Sequence, residues 1–241
     1  RLDVDSFREL IDLGVREDGH PAGIQVFLWL WTRLFGTGDL VVKLPFLLMG
    51  LGSILLVYRL GNKWFNETAG LLAAACMATL QFPVMYSQIA RPYISGLFFG
   101  LAMVLFWSRL LFEKPQRKWG VWAGFVIFAS LGCYNHYFSM LLAGMVAISG
   151  LFFLKRETWK WYLGSLGAVG VLFLPHLKLF FYQLNNRGLS WLLILLTIVS
   201  LSGAPFRTGS RMSMSRLPAV DIRSPKWVSR RCCNASRKAV S

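Results

Sequence analysis

Six long apolar runs limit what this chain can fold into. A transmembrane helix needs about 20 predominantly apolar residues, within a range of about 17 to 25. The six runs have about this length, are bounded by charged or turn residues, and cover about 41–60, 68–85, 92–112, 119–134, 136–154 and 161–182. Because lipid tolerates only structures that satisfy their own backbone hydrogen bonds, the sequence predicts an all-α polytopic transmembrane helical bundle.

The composition supports a membrane protein over a soluble one. Only 15% of the residues are charged and 55% are hydrophobic, whereas a soluble domain normally carries roughly 25% charged residues. A net charge of +15 would suggest a nucleic-acid partner if the basic residues lay on one polar face. They lie between the apolar runs instead, so we expect no nucleic-acid partner.

The distribution of basic residues predicts the orientation in the membrane. The stretches 59–67, 109–118 and 155–160 each contain two to four Lys or Arg, and the connections between them contain at most one. Cytoplasmic loops carry the excess of Lys and Arg. The six runs are therefore expected to begin and end on the non-cytoplasmic side.

The segment before the first run has two interpretations. Residues 22–36 are rich in Leu, Trp and Phe, but this run is shorter than a comfortable crossing. We favour a juxtamembrane helix at the outer surface, with Trp29 and Trp31 at headgroup depth, and an outer acidic segment at 1–21. A crossing at this point would place residues 1–20 in the cytoplasm.

The polar residues that are candidates for catalysis or binding lie on the predicted outer side. Six of the eleven acidic residues lie within the first 18 positions, and all three histidines, His20, His136 and His176, fall near this surface. Acidic residues there are usually solvated, and a histidine at a helix start is more often a cap than a ligand. Arg91 lies at the membrane edge beside Pro92, where a guanidinium must snorkel or bind an anion such as a lipid phosphate.

Several motifs in order resemble those of a known family. Asp18-Gly-His-Pro with the following helix, Tyr86-Ser-Gln-Ile-Ala-Arg-Pro-Tyr, and Asn135-His-Tyr-Phe-Ser are similar to motifs of membrane glycosyltransferases of the C-type fold. Within these, the chain resembles dolichyl-phosphate-mannose-protein mannosyltransferase-like enzymes, related to family 39 and to RgtA/B/C/D-type enzymes. Two residues depart from the pattern: Ile89 stands where the family often has glutamate, and Ala22 replaces a second proline.

The resemblance implies a reaction and a set of site residues. It implies transfer of a sugar from a polyprenyl-phosphate-linked donor to an acceptor hydroxyl on the outer face, by direct displacement with inversion. A carboxylate would act as base on the hydroxyl, and positive charge would receive the departing phosphate. Matching the motifs gives Asp18 and His20 as catalytic residues, Arg91, Tyr93 and Tyr86 as lipid-phosphate contacts, and His136 and Tyr137 as acceptor-side or structural residues.

The two ends of the chain depart from the family pattern. The family begins with a span whose outer end carries an acidic pair, the leading candidate for the base, and we expect such a pair upstream of Arg1. Residues 191–241 form a short apolar run and then a basic tail. We expect the tail to be disordered and favour a reading-frame shift near residue 190, with binding to anionic lipid or RNA as alternatives. The sequence is therefore expected to be a fragment, which could be inactive.

The function expected from these observations is that of an integral-membrane glycosyltransferase in a bacterial inner membrane. Its expected partners are the polyprenyl-phosphate sugar donor, membrane lipid, and a glycan, lipid or protein acceptor. Neither the cysteines nor the histidines show metal-ligand spacing, so no cofactor is assigned, and a divalent metal is left open. The alternatives are a transporter or lipid flippase, and a non-catalytic membrane subunit.

Overall fold

The computed structural model describes residues 6–15, 20–113 and 118–186. These residues are helical with short connections and contain no strand, which confirms the prediction of an all-α bundle. The helices are α1 (Phe7–Glu9), which continues into a π-helical turn (Leu10–Val15), α2 (Gly23–Phe35), α3 (Asp39–Trp64), α4 (Glu67–Thr79), α5 (Gln81–Ser87), α6 (Pro92–Phe112), α7 (Lys118–Asn135), α8 (Tyr137–Leu151) and α9 (Trp159–Asn186). Residues 191–241, for which a disordered or frame-shifted tail was expected, lie outside the described residues.

Helices occupy all six apolar runs, but they differ in length and hydropathy and so in whether they could cross a membrane. Among the described helices, α3, α6 and the part of α9 at Trp159–Leu184 are long and apolar enough to cross. The pair α4 and α5 adds a fourth span if the two helices, bent by 57°, are counted together. The apolar helix α8 has 15 residues, which is short for a crossing. The number of six crossings therefore stays a prediction.

The run at 68–85 is broken near its C-terminal end. Helix α4 ends at Thr79, Leu80 is extended, and α5 begins at Gln81. Pro83 explains the break, because a proline has no N–H to donate to the carbonyl of residue 79 and its ring clashes with that carbonyl. The break turns α5 away from α4 and places Tyr86 in the second, separately oriented helix.

Two apolar clusters hold the helices together. Buried Ile24, Leu28, Phe46 and Ile94 join α2, α3 and α6, and a larger cluster around Phe125 joins α6, α7, α8 and α9. Burying apolar surface stabilises such contacts by about 25 cal/mol per Å² where water would otherwise reach them. Helix α2 forms where the juxtamembrane helix was expected, and its position relative to a membrane stays a prediction.

Close backbone contacts fix α2 against the end of α7. A Cβ added to Gly23 would overlap the backbone carbonyl of Tyr134, so only glycine permits this approach. On its other side, the indole of Trp31 donates a hydrogen bond of 2.8 Å to the carbonyl of Val41 in α3. These contacts bring the start of α2, three residues after His20, to the turn between α7 and α8.

Candidate active site

Four of the residues predicted for the site lie in a continuous row of rings. The ring centroids of Tyr86 and Tyr93 are 4.5 Å apart, those of Tyr93 and His136 6.3 Å, and those of His136 and His20 5.0 Å. We call Tyr86, Tyr93, His136 and His20 the aromatic row. Its members come from α5, from the first turn of α6, from the turn before α8 and from the segment before α2. The row therefore exists only through tertiary packing.

Arg91 lies beside the row at the start of α6. It is the N-cap residue, and Pro92 occupies the first helical position, where a missing N–H costs nothing. Arg91 is exposed, Tyr93 is 39% exposed, and no carboxylate among the described residues pairs with the guanidinium. A positive side chain at a helix N-terminus, next to accessible aromatic residues, is suited to receive an anion.

Asn135 holds the start of α6 against the turn that carries His136. This side chain is 2% exposed; its Nδ2 donates to the Pro92 carbonyl at 2.7 Å and its Oδ1 accepts from Ser95 Oγ at 2.6 Å. Gly96 allows the close approach, because a Cβ there would lie 3.0 Å from Asn135 Nδ2. One buried amide thus ties the first turn of α6 to the residue that precedes His136.

The ring of His136 has a defined hydrogen-bonding role. It caps α8, and its Nδ1 accepts a hydrogen bond of 3.1 Å from the Phe138 N–H. A neutral imidazole that accepts at Nδ1 carries its proton on Nε2, so Nε2 is a donor. Burial of the ring, with a contribution from neighbouring His20, lowers the pKa of His136 to about 4. At neutral pH His136 is therefore an uncharged donor in the aromatic row.

Tyr137 directly follows His136 of the aromatic row in the chain, and its side chain is buried. It is 2% exposed, and its hydroxyl donates to Gln183 Oε1 in α9. From its sequence motif, Tyr137 could have an acceptor-side role or a structural role. Its burial and its bond to Gln183 favour the structural role.

One residue near the site was not predicted from the sequence, and one predicted site residue lies outside the described part of the chain. Gln183 was not singled out from the sequence; its only signal is a polar amide near the end of a long apolar helix. Asp18, predicted as a catalytic residue, lies outside the described residues, and its role stays a prediction. The third histidine, His176, lines an apolar cavity of about 800 Å³ between α2, α7 and α9 and is not part of the aromatic row.

The described residues contain no group of three or more His, Cys, Asp or Glu side chains that could hold a metal ion. His20 and His136 face each other edge to face without a third ligand of this kind from the described part of the chain. The arrangement can bind and orient an anionic, hydroxyl-bearing ligand through a guanidinium, two phenols and an imidazole N–H.

Comparison with known proteins gives one match. The sequence model of the dolichyl-phosphate-mannose-protein mannosyltransferase family matches residues 19–178, about two thirds of the chain, in agreement with the resemblance found in the motifs. The match contains the whole aromatic row and Arg91, and Asp18 and Gln183 lie outside it. No curated protein and no solved structure shows significant similarity to the chain.

Proposed function

The chain belongs to the dolichyl-phosphate-mannose-protein mannosyltransferase family of membrane glycosyltransferases, and on this premise we propose a specific reaction. The protein transfers a sugar from a polyprenyl-phosphate-linked donor to an acceptor hydroxyl on the non-cytoplasmic face. The acceptor oxygen displaces the lipid phosphate directly, so the configuration at the anomeric carbon is inverted.

The single observation that carries this proposal is Arg91 beside the aromatic row. In the transition state the bond between the sugar and the phosphate lengthens, and negative charge develops on the lipid phosphate. Arg91 is an exposed guanidinium without a described carboxylate partner. Tyr93, Tyr86 and the Nε2–H of His136 lie along the same row and supply neutral donors. This combination of positive charge and neutral donors supports the assignment of the phosphate site to Arg91 and the aromatic row.

The acceptor hydroxyl also needs a base, because it is a weak nucleophile until its proton is removed during attack. We assign this role to a carboxylate of the outer segment, with Asp18 as the candidate within this sequence. His20, two residues further on, lies at the end of the aromatic row. The position of His20 supports a base in the neighbouring segment, because the displacement requires the base and the phosphate site to lie close together.

The proposed setting follows from the family and the topology. The protein is a multi-pass membrane protein, and we place it in a bacterial inner membrane with the aromatic row on the outer side. The donor enters from the membrane, and the acceptor is a glycan, a lipid or a protein with a free hydroxyl. A divalent metal is neither required by this scheme nor assigned to described residues.

The test measures sugar transfer from a labelled polyprenyl-phosphate donor by the full-length protein in lipid vesicles. Replacement Arg91→Ala is expected to lower kcat/KM by about 10²-fold to 10³-fold, because a charge-stabilising contact to the leaving group is lost. The matched control is Arg109→Ala, which removes an arginine from the other end of α6 and is expected to leave transfer unchanged. Full activity of Arg91→Ala would remove the phosphate contact from the proposal. Movement of the labelled lipid across the bilayer without transfer would favour the transporter alternative.

A further inference from the structure

The side chain of Gln183 connects three separate segments from a fully buried position. It is 0% exposed; its Nε2 donates to the carbonyls of Val15 and His20 at 2.8 and 3.0 Å. Its Oε1 accepts from the Tyr137 hydroxyl. Both hydrogens of the amide are therefore donated, so the donor capacity of the glutamine side chain is fully used. Its oxygen accepts one bond.

These bonds lead to both histidines of the aromatic row. One bond holds the backbone of His20 itself, and another holds Tyr137, which directly follows His136 in the chain. The rings of His20 and His136 are 5.0 Å apart and meet edge to face. One amide in α9 thus binds the backbone of His20 and also the side chain of Tyr137, the residue next to His136.

The three partners require an amide at this position. A carboxylate has no hydrogen to donate and would face two carbonyl oxygens. An aliphatic side chain would leave the buried Val15 carbonyl, the partly buried His20 carbonyl and the buried Tyr137 hydroxyl without this partner, at a cost of roughly 1–3 kcal/mol for each buried unsatisfied group. The surrounding helices are apolar, so hydrophobic packing by itself would not require a polar side chain at this position.

We propose that Gln183 is a positioning residue of the transferase site, which sets the separation and orientation of the His20 and His136 rings through the His20 carbonyl and Tyr137. The inference rests on the proposed function, in which the aromatic row binds the donor. It adds a residue outside the family match and assigns Tyr137 a role as the link between Gln183 and the turn that carries His136. Gln183 itself does not contact the substrate.

The experiment uses the full-length protein in lipid with ¹⁵N-labelled histidine. The variants are Gln183→Leu, Gln183→Glu and the milder Tyr137→Phe, which removes one hydroxyl and serves as the test if the Gln183 variants do not fold. The matched control is Gln81→Leu, which changes an exposed glutamine of α5. Imidazole resonances report ring geometry independently of activity, and kinetics with the labelled donor report kcat and KM separately.

We expect the His20 and His136 resonances to shift in all three variants and to stay in place in Gln81→Leu. We expect kcat to fall by about 10-fold to 100-fold in the Gln183 variants, as misplacement of a site by about 1 Å does, with donor KM changed less than about twofold. A smaller loss is expected for Tyr137→Phe, because the two carbonyl bonds remain.

Two results would overturn the inference. One is a folded Gln183→Leu or Tyr137→Phe protein in which the His20 and His136 resonances do not move. The other is a loss of kcat in variants whose two resonances match the parent protein, because the loss then has another cause. If the parent protein transfers no sugar, the proposed function fails, and the resonances still decide whether Gln183 positions the two rings.

Discussion

The two ends of α6 are built differently. At the C-terminal end, Lys63 and Glu113 form an ion pair at 2.9 Å between the ends of α3 and α6, and the Trp64 indole donates to Ser108 Oγ at 3.2 Å. At the N-terminal end, Asn135 forms its hydrogen bonds with the Pro92 carbonyl and with Ser95, and Arg91 has no carboxylate partner among the described residues.

This difference suggests a test of where a ligand binds. Lys63 and Glu113 neutralise each other at the C-terminal end, and Arg109 in the last turn of α6 belongs to a basic stretch of the kind that sets topology. At the N-terminal end neutral groups provide the structural bonds, and Arg91 lies next to the aromatic row. Under the proposed function, structural changes at the N-terminal end should affect transfer and changes at the C-terminal end should not.

The largest effect is expected from Asn135→Leu, which keeps the volume and removes the amide. The Pro92 carbonyl and Ser95 Oγ lose their partner, so we expect a loss of stability of about 1–3 kcal/mol. We expect kcat/KM to fall about 100-fold, because Arg91 and Tyr93 shift relative to His136. Thermal unfolding in detergent and transfer from the labelled donor measure the two effects.

The C-terminal end of α6 supplies the control for this variant. Replacement Lys63→Met breaks the ion pair with Glu113, whose side chain is 44% exposed, and such pairs contribute at most about 1 kcal/mol. Transfer should stay at the parent level. Equal losses of transfer in Asn135→Leu and Lys63→Met would show that the two ends do not differ in function.

A smaller effect is expected from Gly23→Ala, which forces α2 away from the Tyr134 carbonyl. Overpacking of this kind costs about 1–3 kcal/mol, and displacement of the segment that follows His20 should lower kcat about tenfold. Gly120→Ala is the matched control, since a Cβ at Gly120 in α7 meets nothing within 4 Å. Unchanged kcat and melting temperature in Gly23→Ala would mean that α2 is not held by this contact.

The effect expected from pH concerns stability alone and is absent at neutral pH. Because the pKa of His136 falls from 6.5 to about 4 on folding, the unfolded chain binds more protons between these values, and stability decreases as pH falls from about 6.5 to about 4. His136→Asn keeps an acceptor for the cap of α8 and removes the titrating ring, so its stability should depend less on pH in this range. Unfolding followed at several pH values in both proteins checks this; parallel curves would contradict it.

The sequence predicted much of the fold and part of the site. Apolar runs of membrane length predict helices because their physical cause is local, and the structure has helices at all six. The break at Leu80 also has a local cause in Pro83, although sequence analysis treated this run as one span. Motif resemblance brought out Arg91, Tyr93 and His136, but it gave no reason to select Gln183, whose importance depends on partners 46 and 168 positions away.

The sequence by itself determined that the chain forms apolar helices and which positions between them carry polar and charged side chains, because hydrophobicity and charge act residue by residue. Only the tertiary structure decided that His20 meets His136, that Asn135 fixes the first turn of α6, and that Gln183 joins three segments. These contacts depend on the close approach of helices, permitted at Gly23 and Gly96 by the missing side chain. Such an approach is a property of pairs of helices, and no single segment of the sequence contains it.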